Sequence, residues 1–423
     1  MTAFLILAVL LAVLLLGIPV AFALGGLGLG LLMIQDFNLI MIPQSLYSSI
    51  DNFVLLAIPL FLLMSNILLK CGAGQQLFAA AQSWVGHWPG GLGVATIISC
   101  GLFAAISGSS VATAATIGTI AVPEMTARGY PKKFVLGLLA AGGTLGILIP
   151  PSIVMIVYGV ITEESIIDLF IAGIGPGIFL IVLFSVYSIV YARYKGDFEN
   201  VERAPWSARF KATIQAFPTM LIAVVIILGI YLGIFTPTEA AGVGLFMALV
   251  ITIVTRTMTL TRLKEACMDS MRTTVTILLI IAGAKIFAKA ITLYQIPVTV
   301  SNLVTASFSE PWSFTLAICV VLLMMGLFLE ALGMLLIMMP VLYPSLLAMG
   351  IDPIWFGIVF VIMVECALIT PPVGLNLFIM QAVGKSTLGE VSRGVIPFIV
   401  MMLTTVFVLY FWPGLAMDLV RIL

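Results

Sequence analysis

The chain has 423 residues, of which 62% are hydrophobic and only 9% are charged. A soluble domain carries about 25% charged residues, and a chain this short of charge could not cover a water-facing surface. Its 18 basic and 18 acidic side chains balance to a formal charge of zero, which excludes a bulk attraction to nucleic acid.

From Thr2 to Trp412, apolar runs near or beyond about 20 residues recur, the length that crosses a hydrocarbon core of about 30 Å. Long runs of this kind predict α-helices, because barrel strands give short alternating segments. The first 34 residues hold no charge and read as one kinked helix or two short ones broken at Gly17-Ile18-Pro19. The longest polar stretch, Arg193 to Lys211, is 19 residues and leaves no room for a soluble domain. The N-terminus lacks the basic region of a signal peptide, so its first apolar segment is expected to be retained. Cys71, Cys100, Cys267, Cys319 and Cys366 are scattered singles, without the clustered spacing of a disulfide framework or a zinc site. The sole histidine, His87, sits beside Trp88 and Pro89 at a predicted helix boundary and reads as interfacial rather than as a ligand.

Basic residues gather in three places: Arg128, Lys132 and Lys133; then Arg193, Lys195, Arg203, Arg209 and Lys211; then Arg256, Arg262, Lys264 and Arg272. The positive-inside rule assigns all three to cytoplasmic loops. The stretches between them must then cross an even number of times. Residues 134–192 break at an acidic loop holding Glu163, Glu164 and Asp168, and residues 213–255 break at Thr236-Pro237-Thr238-Glu239.

A self-comparison shows an internal repeat. Pro123 precedes Pro150 by 27 residues, and Pro344 precedes Pro371 by the same 27, an offset of 221 between copies. The offset also carries Gly129 onto Gly350 and Pro151 onto Pro372. Charge changes sign between the copies. The basic loop 128–133 corresponds to Gly350-Ile351-Asp352-Pro353, and the acidic loop 162–168 to the region of Lys385 and Arg393. The copies are therefore expected in opposite orientations, the inverted repeat of many secondary transporters.

Within each copy, two places are unsuited to an ordinary spanning helix. The first is a re-entrant hairpin tip: Ser107-Gly108-Ser109-Ser110 in one copy, Glu330-Ala331-Leu332-Gly333 in the other. The second is a broken helix, interrupted over Gly142-Gly143-Thr144 to Pro150-Pro151-Ser152 and over Thr370-Pro371-Pro372-Val373-Gly374. A double proline removes backbone donors and frees carbonyls, which at membrane depth need protein, water or a bound ion to satisfy them. Oxygen ligands of this kind suit a hard cation such as Na⁺, and half-helix N-termini favour an anion. The expectation is one cation site per repeat, flanking an anion site. Packing is the competing account, since proline kinks and Ser/Gly faces are common in membrane helices. Matched spacing in opposed copies shifts the balance toward function.

Charged residues inside apolar segments are functional candidates by default. They are Glu330, Glu365 and the pair Lys285 and Lys289, for which pairing or contact with another subunit is the competing account. Ser65 and Asn66 form a polar pair that could complete a site or bond a neighbouring helix. Gly384-Lys385-Ser386-Thr387 imitates the end of a P-loop, but Ile379 stands at its first glycine, so ATP hydrolysis is not expected. No nucleophile turn of the Gly-x-Ser-x-Gly type is present.

Several segments together carry a family likeness: Ile58-Pro59-Leu60-Phe61, Ser107 to Thr113, Gly146 to Ser152, Thr236 to Ala241, and Thr370 to Asn376. In this order, from about Gly17 to Pro397, the chain resembles the large membrane (M) subunit of the TRAP transporters, the tripartite ATP-independent periplasmic transporters. That resemblance implies an all-α polytopic protein of the cell inner membrane, an elevator-type transporter similar to the ion-transporter superfamily. It implies Na⁺-driven import of an organic acid such as sialic acid or a C4-dicarboxylate, with Na⁺ as coupling ion and no organic cofactor. The partners it implies are a small four-helix membrane (Q) subunit, here a separate chain, and a periplasmic substrate-binding (P) protein. On this reading 1–90 are scaffold helices, 91–192 the first transport elements (hairpin 91–127, broken helix 134–161), and 193–311 central loops and scaffold. Residues 312–423 hold the second transport elements (hairpin 312–348, broken helix 354–382) and a C-terminal helix.

The expected Na⁺ sites are Ser107, Gly108, Ser109 and Ser110 with Gly143, Thr144 and Pro150, and Gly333 with Thr370, Pro371, Pro372 and Val373. Ser65, Asn66, Thr113, Ser152, Glu330 and Asn376 are the expected substrate contacts. A stand-alone Na⁺/carboxylate symporter is the nearest alternative, followed by an intramembrane enzyme, which lacks a plausible nucleophile–base pair, and a passive channel.

Overall fold

The computed structural model describes residues 2–35, 37–38, 40–195, 198 and 201–422, and no strand occurs among them. Seven of the described helices are long and apolar enough to cross a bilayer. An eighth crossing results if Lys132–Leu148 and Ile153–Thr162, bent by 41° at their junction, count as one span. The chain is a multi-pass helical membrane protein.

The uncharged N-terminus takes the second of its two predicted forms, the helices Thr2–Leu15 and Val20–Ile34. Gly17 between them adopts φ +80°, a conformation that only glycine enters cheaply. Val20–Ile34 lies along the 34-residue helix Leu260–Leu293. The approach is backbone to backbone: a Cβ on Gly283 would stand 2.3 Å from the Ala21 carbonyl oxygen. Small residues of this kind let membrane helices pack by dispersion where no hydrophobic drive exists.

Leu260–Leu293 also packs on Ala57–Lys70, which in turn packs on Pro237–Val254. The turn into Pro237–Val254 is the predicted one. Thr236 and Glu239 close a reciprocal capping box, so two orphan N–H groups are satisfied where the chain reverses. Arg209 lies over the rings of Trp84 at 5.6 Å and Trp206 at 5.1 Å, an aromatic–basic cluster suited to a membrane interface.

The 221-residue offset reappears in the helix boundaries. Ser110–Ala127 and Ala331–Ala348 start and end one offset apart, and so do the starts of Lys132–Leu148 and Pro353–Leu368. Packing crosses over between the copies. Ser110–Ala127 is covered by Leu375–Gly384 of the second copy, and Ala331–Ala348 by Ile153–Thr162 of the first. Lys132–Leu148 and Pro353–Leu368 pack on each other between them. This reciprocal pattern is what a two-fold relation between the copies produces.

Candidate functional site

The first tip is built by two opposed caps. Helix Gly91–Ser107 stops at Gly108, whose φ of +57° ends the hydrogen-bonded ladder. Ser109 is extended, and its side chain accepts from Ala112 N–H to start the next helix, so the chain reverses in two residues. Ser107 Oγ and Thr113 Oγ1 share a hydrogen bond of 2.8 Å, and Thr113 Oγ1 also donates to the Ser109 carbonyl at 2.8 Å. Ser110 Oγ accepts from the amide of Asn376, which donates again to the Ala140 carbonyl at 3.3 Å. Asn376 is fully buried, and its Oδ1 has no hydrogen-bond partner among the described residues.

The first break closes against this tip. Pro150, Pro151 and Ser152 are buried, and Ser152 Oγ accepts from Met155 N–H at 3.3 Å to start Ile153–Thr162. A Cβ on Gly108 would stand 2.7 Å from the Pro151 carbonyl, and one on Gly146 2.6 Å from the Ser109 carbonyl. Gly143 presses equally closely on Ala114, and Thr144 is buried with its hydroxyl returned to the Ala141 carbonyl. Peptide oxygens, hydroxyls and one amide oxygen thus converge in a closely packed region behind the cavity wall. That donor set suits a hard cation. No group of three or more His, Cys, Asp or Glu that could hold a metal ion exists among the described residues.

The second tip and break are more open. Helix Pro311–Met325 ends five residues before Ala331, and Glu330 flanks the next helix without a side-chain cap bond. Pro372 and Val373 are exposed, and Thr370 Oγ1 returns to the Cys366 carbonyl at 2.7 Å. In both breaks the bond between the two prolines is cis. Gly333 is buried, a Cβ on it would stand 3.5 Å from the Val20 side chain, and no hydrogen bond joins Gly333 to Thr370–Val373 among the described residues.

Both tips open onto one cavity of about 500 Å³. Of the residues expected from sequence, Ser65, Asn66, Ser107, Gly108, Ser109, Ser110 and Glu330 line it. Thr113, Ser152 and Asn376, expected to touch substrate, stand behind the cavity wall instead, holding the first tip and the first break in shape. Glu365 is fully buried and does not line the cavity. Lys285 lines a separate cavity of about 240 Å³ with Tyr343 and Pro344, whereas Lys289 is exposed outside it.

One lining residue escaped the sequence reading. Arg272, assigned by charge clustering to a cytoplasmic loop, is the thirteenth residue of the helix Leu260–Leu293 and lines the main cavity beside Thr273 and Thr276. The helix begins in the basic segment and carries that segment's last cation to the cavity, which a linear count of charges does not distinguish from a loop. The recurrence of polar side chains at 272, 273 and 276 was the available signal.

The fold has a counterpart among solved structures. It is similar to the solved structure of Neisseria gonorrhoeae MtrF, titled as one of a class of antimetabolite efflux pumps. The TM-score is 0.65 at 15% identity, over 90% of this chain and 85% of that one, a likeness of fold alone. The sequence is more specific. The family model described as "Tripartite ATP-independent periplasmic transporter, DctM component" matches residues 7–415, and the chain belongs to that family. It is 40% identical to the C4-dicarboxylate TRAP transporter large permease protein DctM of Pseudomonas aeruginosa, over 88% of each chain. It is 34% identical to the isethionate TRAP transporter permease protein DctMQ of Oleidesulfovibrio alaskensis, over 95% of this chain and 64% of that one. These relatives are named as permeases, not as enzymes.

Proposed function

We propose that this chain is the translocating subunit of a Na⁺-coupled symporter that carries an organic acid across the cell inner membrane. One observation carries the reading: the Ser107–Ser110 tip of the first repeat and the Glu330 turn of the second meet at a single cavity, and Ile147, Ile153, Leu368 and Leu375, which flank the two double-proline breaks, line it as well. Spanning helices do not give up backbone hydrogen bonds at matched positions without something to satisfy the freed groups. Ser107, Ser109 and Ser110, with the carbonyls from Gly143 to Pro150 and the unpartnered Oδ1 of Asn376, supply the oxygen set for one Na⁺. The second Na⁺ would bind at Thr370 to Val373, the double-proline segment of the second copy, of which Pro372 and Val373 are exposed.

Na⁺ binding at the first site would fix the tip against the break, and the shaped tip would then present Ser109 and Ser110 to the acid. Coupling follows if the ion-free tip is less ordered and binds the acid more weakly. The hairpins and broken helices would move as a unit against the helices Val20–Ile34, Ala57–Lys70, Pro237–Val254 and Leu260–Leu293, an elevator arrangement in which the re-entrant tips shuttle the acid. The component named in the family model belongs to a tripartite transporter. The partners would then be a small four-helix Q subunit and a periplasmic binding protein that delivers the acid. The fused name DctMQ of the longer relative favours a contact between the two membrane subunits.

Proteoliposomes holding all three components should accumulate a labelled organic acid only with an inward Na⁺ gradient. Equal uptake with choline in place of Na⁺ refutes the coupling. Uptake without the binding protein favours a stand-alone symporter.

A further inference from the structure

Arg272 is a cation without an ion-pair partner among the described residues. It is exposed on the cavity wall. The acids before it on the same helix are engaged elsewhere: Lys70 Nζ pairs with Glu265 at 3.2 Å and with Asp269 at 3.0 Å. Ser270 is turned toward the neighbouring helix, accepting from Asn66 Nδ2 at 2.8 Å. Leu260–Leu293 is thereby latched to Ala57–Lys70 just before it reaches the cavity, which fixes where Arg272 stands. Glu330, on the second hairpin tip, is the carboxylate on the cavity lining, so the cavity has a cationic wall and an acidic one. An anion entering it is driven toward Leu260–Leu293 and away from the second tip.

We infer that Arg272 is the anion-binding residue of the cavity, taking the carboxylate of the transported acid from outside the two hairpins. This rests on the organic-acid reading above. A guanidinium presents a planar fork that meets both carboxylate oxygens, and it keeps its charge at any physiological pH. Thr273 and Thr276 lie on the same stretch and add hydroxyl donors at the rim. The acid then bridges two bodies, its carboxylate on the long helix and its remainder on the serine tip. The Arg272 contact holds only while the cavity faces this part of the helix, which makes it a specificity contact of one transport state.

The test uses the reconstituted transporter with its partner subunits and labelled succinate, malate, pyruvate and N-acetylneuraminate, carrying forward whichever the wild type takes up. R272Q should raise the KM for that acid about 10- to 100-fold, the cost of removing one partner of a charged hydrogen bond. R272K, which keeps charge but loses the fork, should fall between R272Q and the wild type. R262Q is the control on the same helix. Arg262 donates to the Thr257 carbonyl at 2.6 Å, away from the cavity, and this change should leave KM unaltered. Stabilisation of the purified chain by Na⁺, followed as a shift in Tm, should survive in R272Q, which separates lost anion binding from a damaged fold. A wild-type KM in R272Q overturns the assignment of Arg272 and leaves the organic-acid reading standing. Should R272Q not fold, a wild-type KM in R272K overturns it equally. Wild-type protein that takes up none of the acids sinks the organic-acid reading itself.

Discussion

The two broken helices share a double proline at matched positions and occupy different surroundings. The first is buried, pressed by Gly143 and Gly146 against a tip that turns in two residues. The second exposes Pro372 and Val373, and the turn into Ala331–Ala348 runs through the five residues from Gly326 to Glu330. Asn376 of the second copy reaches across to Ser110 of the first tip, whereas the residue one offset earlier is Met155, which has no such donor. The repeats thus agree in where the backbone is interrupted and differ in where polar side chains converge. Pairs of sites generated by duplication need not be equal, and if both breaks hold Na⁺, as proposed, the closely packed one should bind it more tightly than the open one.

The largest effect should come from Gly146→Val. A Cβ there stands 2.6 Å from the Ser109 carbonyl, a backbone atom held by the hairpin turn, so the tip must shift. Overpacking of this kind costs about 1–3 kcal/mol, and with it Na⁺-driven uptake should fall by about 100-fold. At the second tip, Gly333→Ala places its Cβ in ordinary contact with Val20 at 3.5 Å, and uptake should stay within about twofold. Equal damage at both tips breaks the comparison.

Asn376→Ala should come next. It removes both donations, to Ser110 Oγ and to the Ala140 carbonyl, and it deletes the free Oδ1. Loss of one or two buried hydrogen bonds is worth about 1–3 kcal/mol, so the Na⁺ concentration for half-maximal uptake should rise about tenfold or more. The same variant should shrink the Na⁺-dependent shift in Tm. An unchanged Na⁺ requirement would place the ion away from the first tip.

Much of this architecture is punctuated locally, and for that reason it is legible in the sequence. The Thr236–Glu239 cap, the Gly17 break, the two double prolines and the Ser-Gly-Ser-Ser tip are all decided by residues within a few positions of one another. The offset of 221 shows in the prolines before it shows in the helix boundaries. What depends on packing between distant segments is not legible in the same way. Asn376 reads as a substrate contact because it follows a break, and only the crossing of Leu375–Gly384 over the first hairpin turns it away from the cavity. Arg272 reads as a loop residue because charge clusters are counted along the chain, and only the length of Leu260–Leu293 carries it to the cavity wall. The unequal turns escape because a glycine-serine tip and a Glu-Ala-Leu-Gly tip both look like short breaks between apolar runs.

The smallest shift in the Na⁺ requirement should come from Thr370→Val, and it bears most directly on the second site. The Thr370 hydroxyl donates to the Cys366 carbonyl of the preceding helix at 2.7 Å, a back-bond of the kind that a helix end gives up cheaply. The side chain is half-buried beside exposed residues, so water replaces the lost bond and the cost should stay below about 1 kcal/mol. The Na⁺ requirement should therefore move less than about threefold, since the carbonyls of Thr370 to Val373 are untouched. Were Thr370→Val to raise it as far as Asn376→Ala does, the hydroxyl would have to be a ligand in a state where the second break has closed. The openness of that break would then belong to one conformation rather than to the site, and the inequality of the two repeats would be a matter of timing rather than of chemistry.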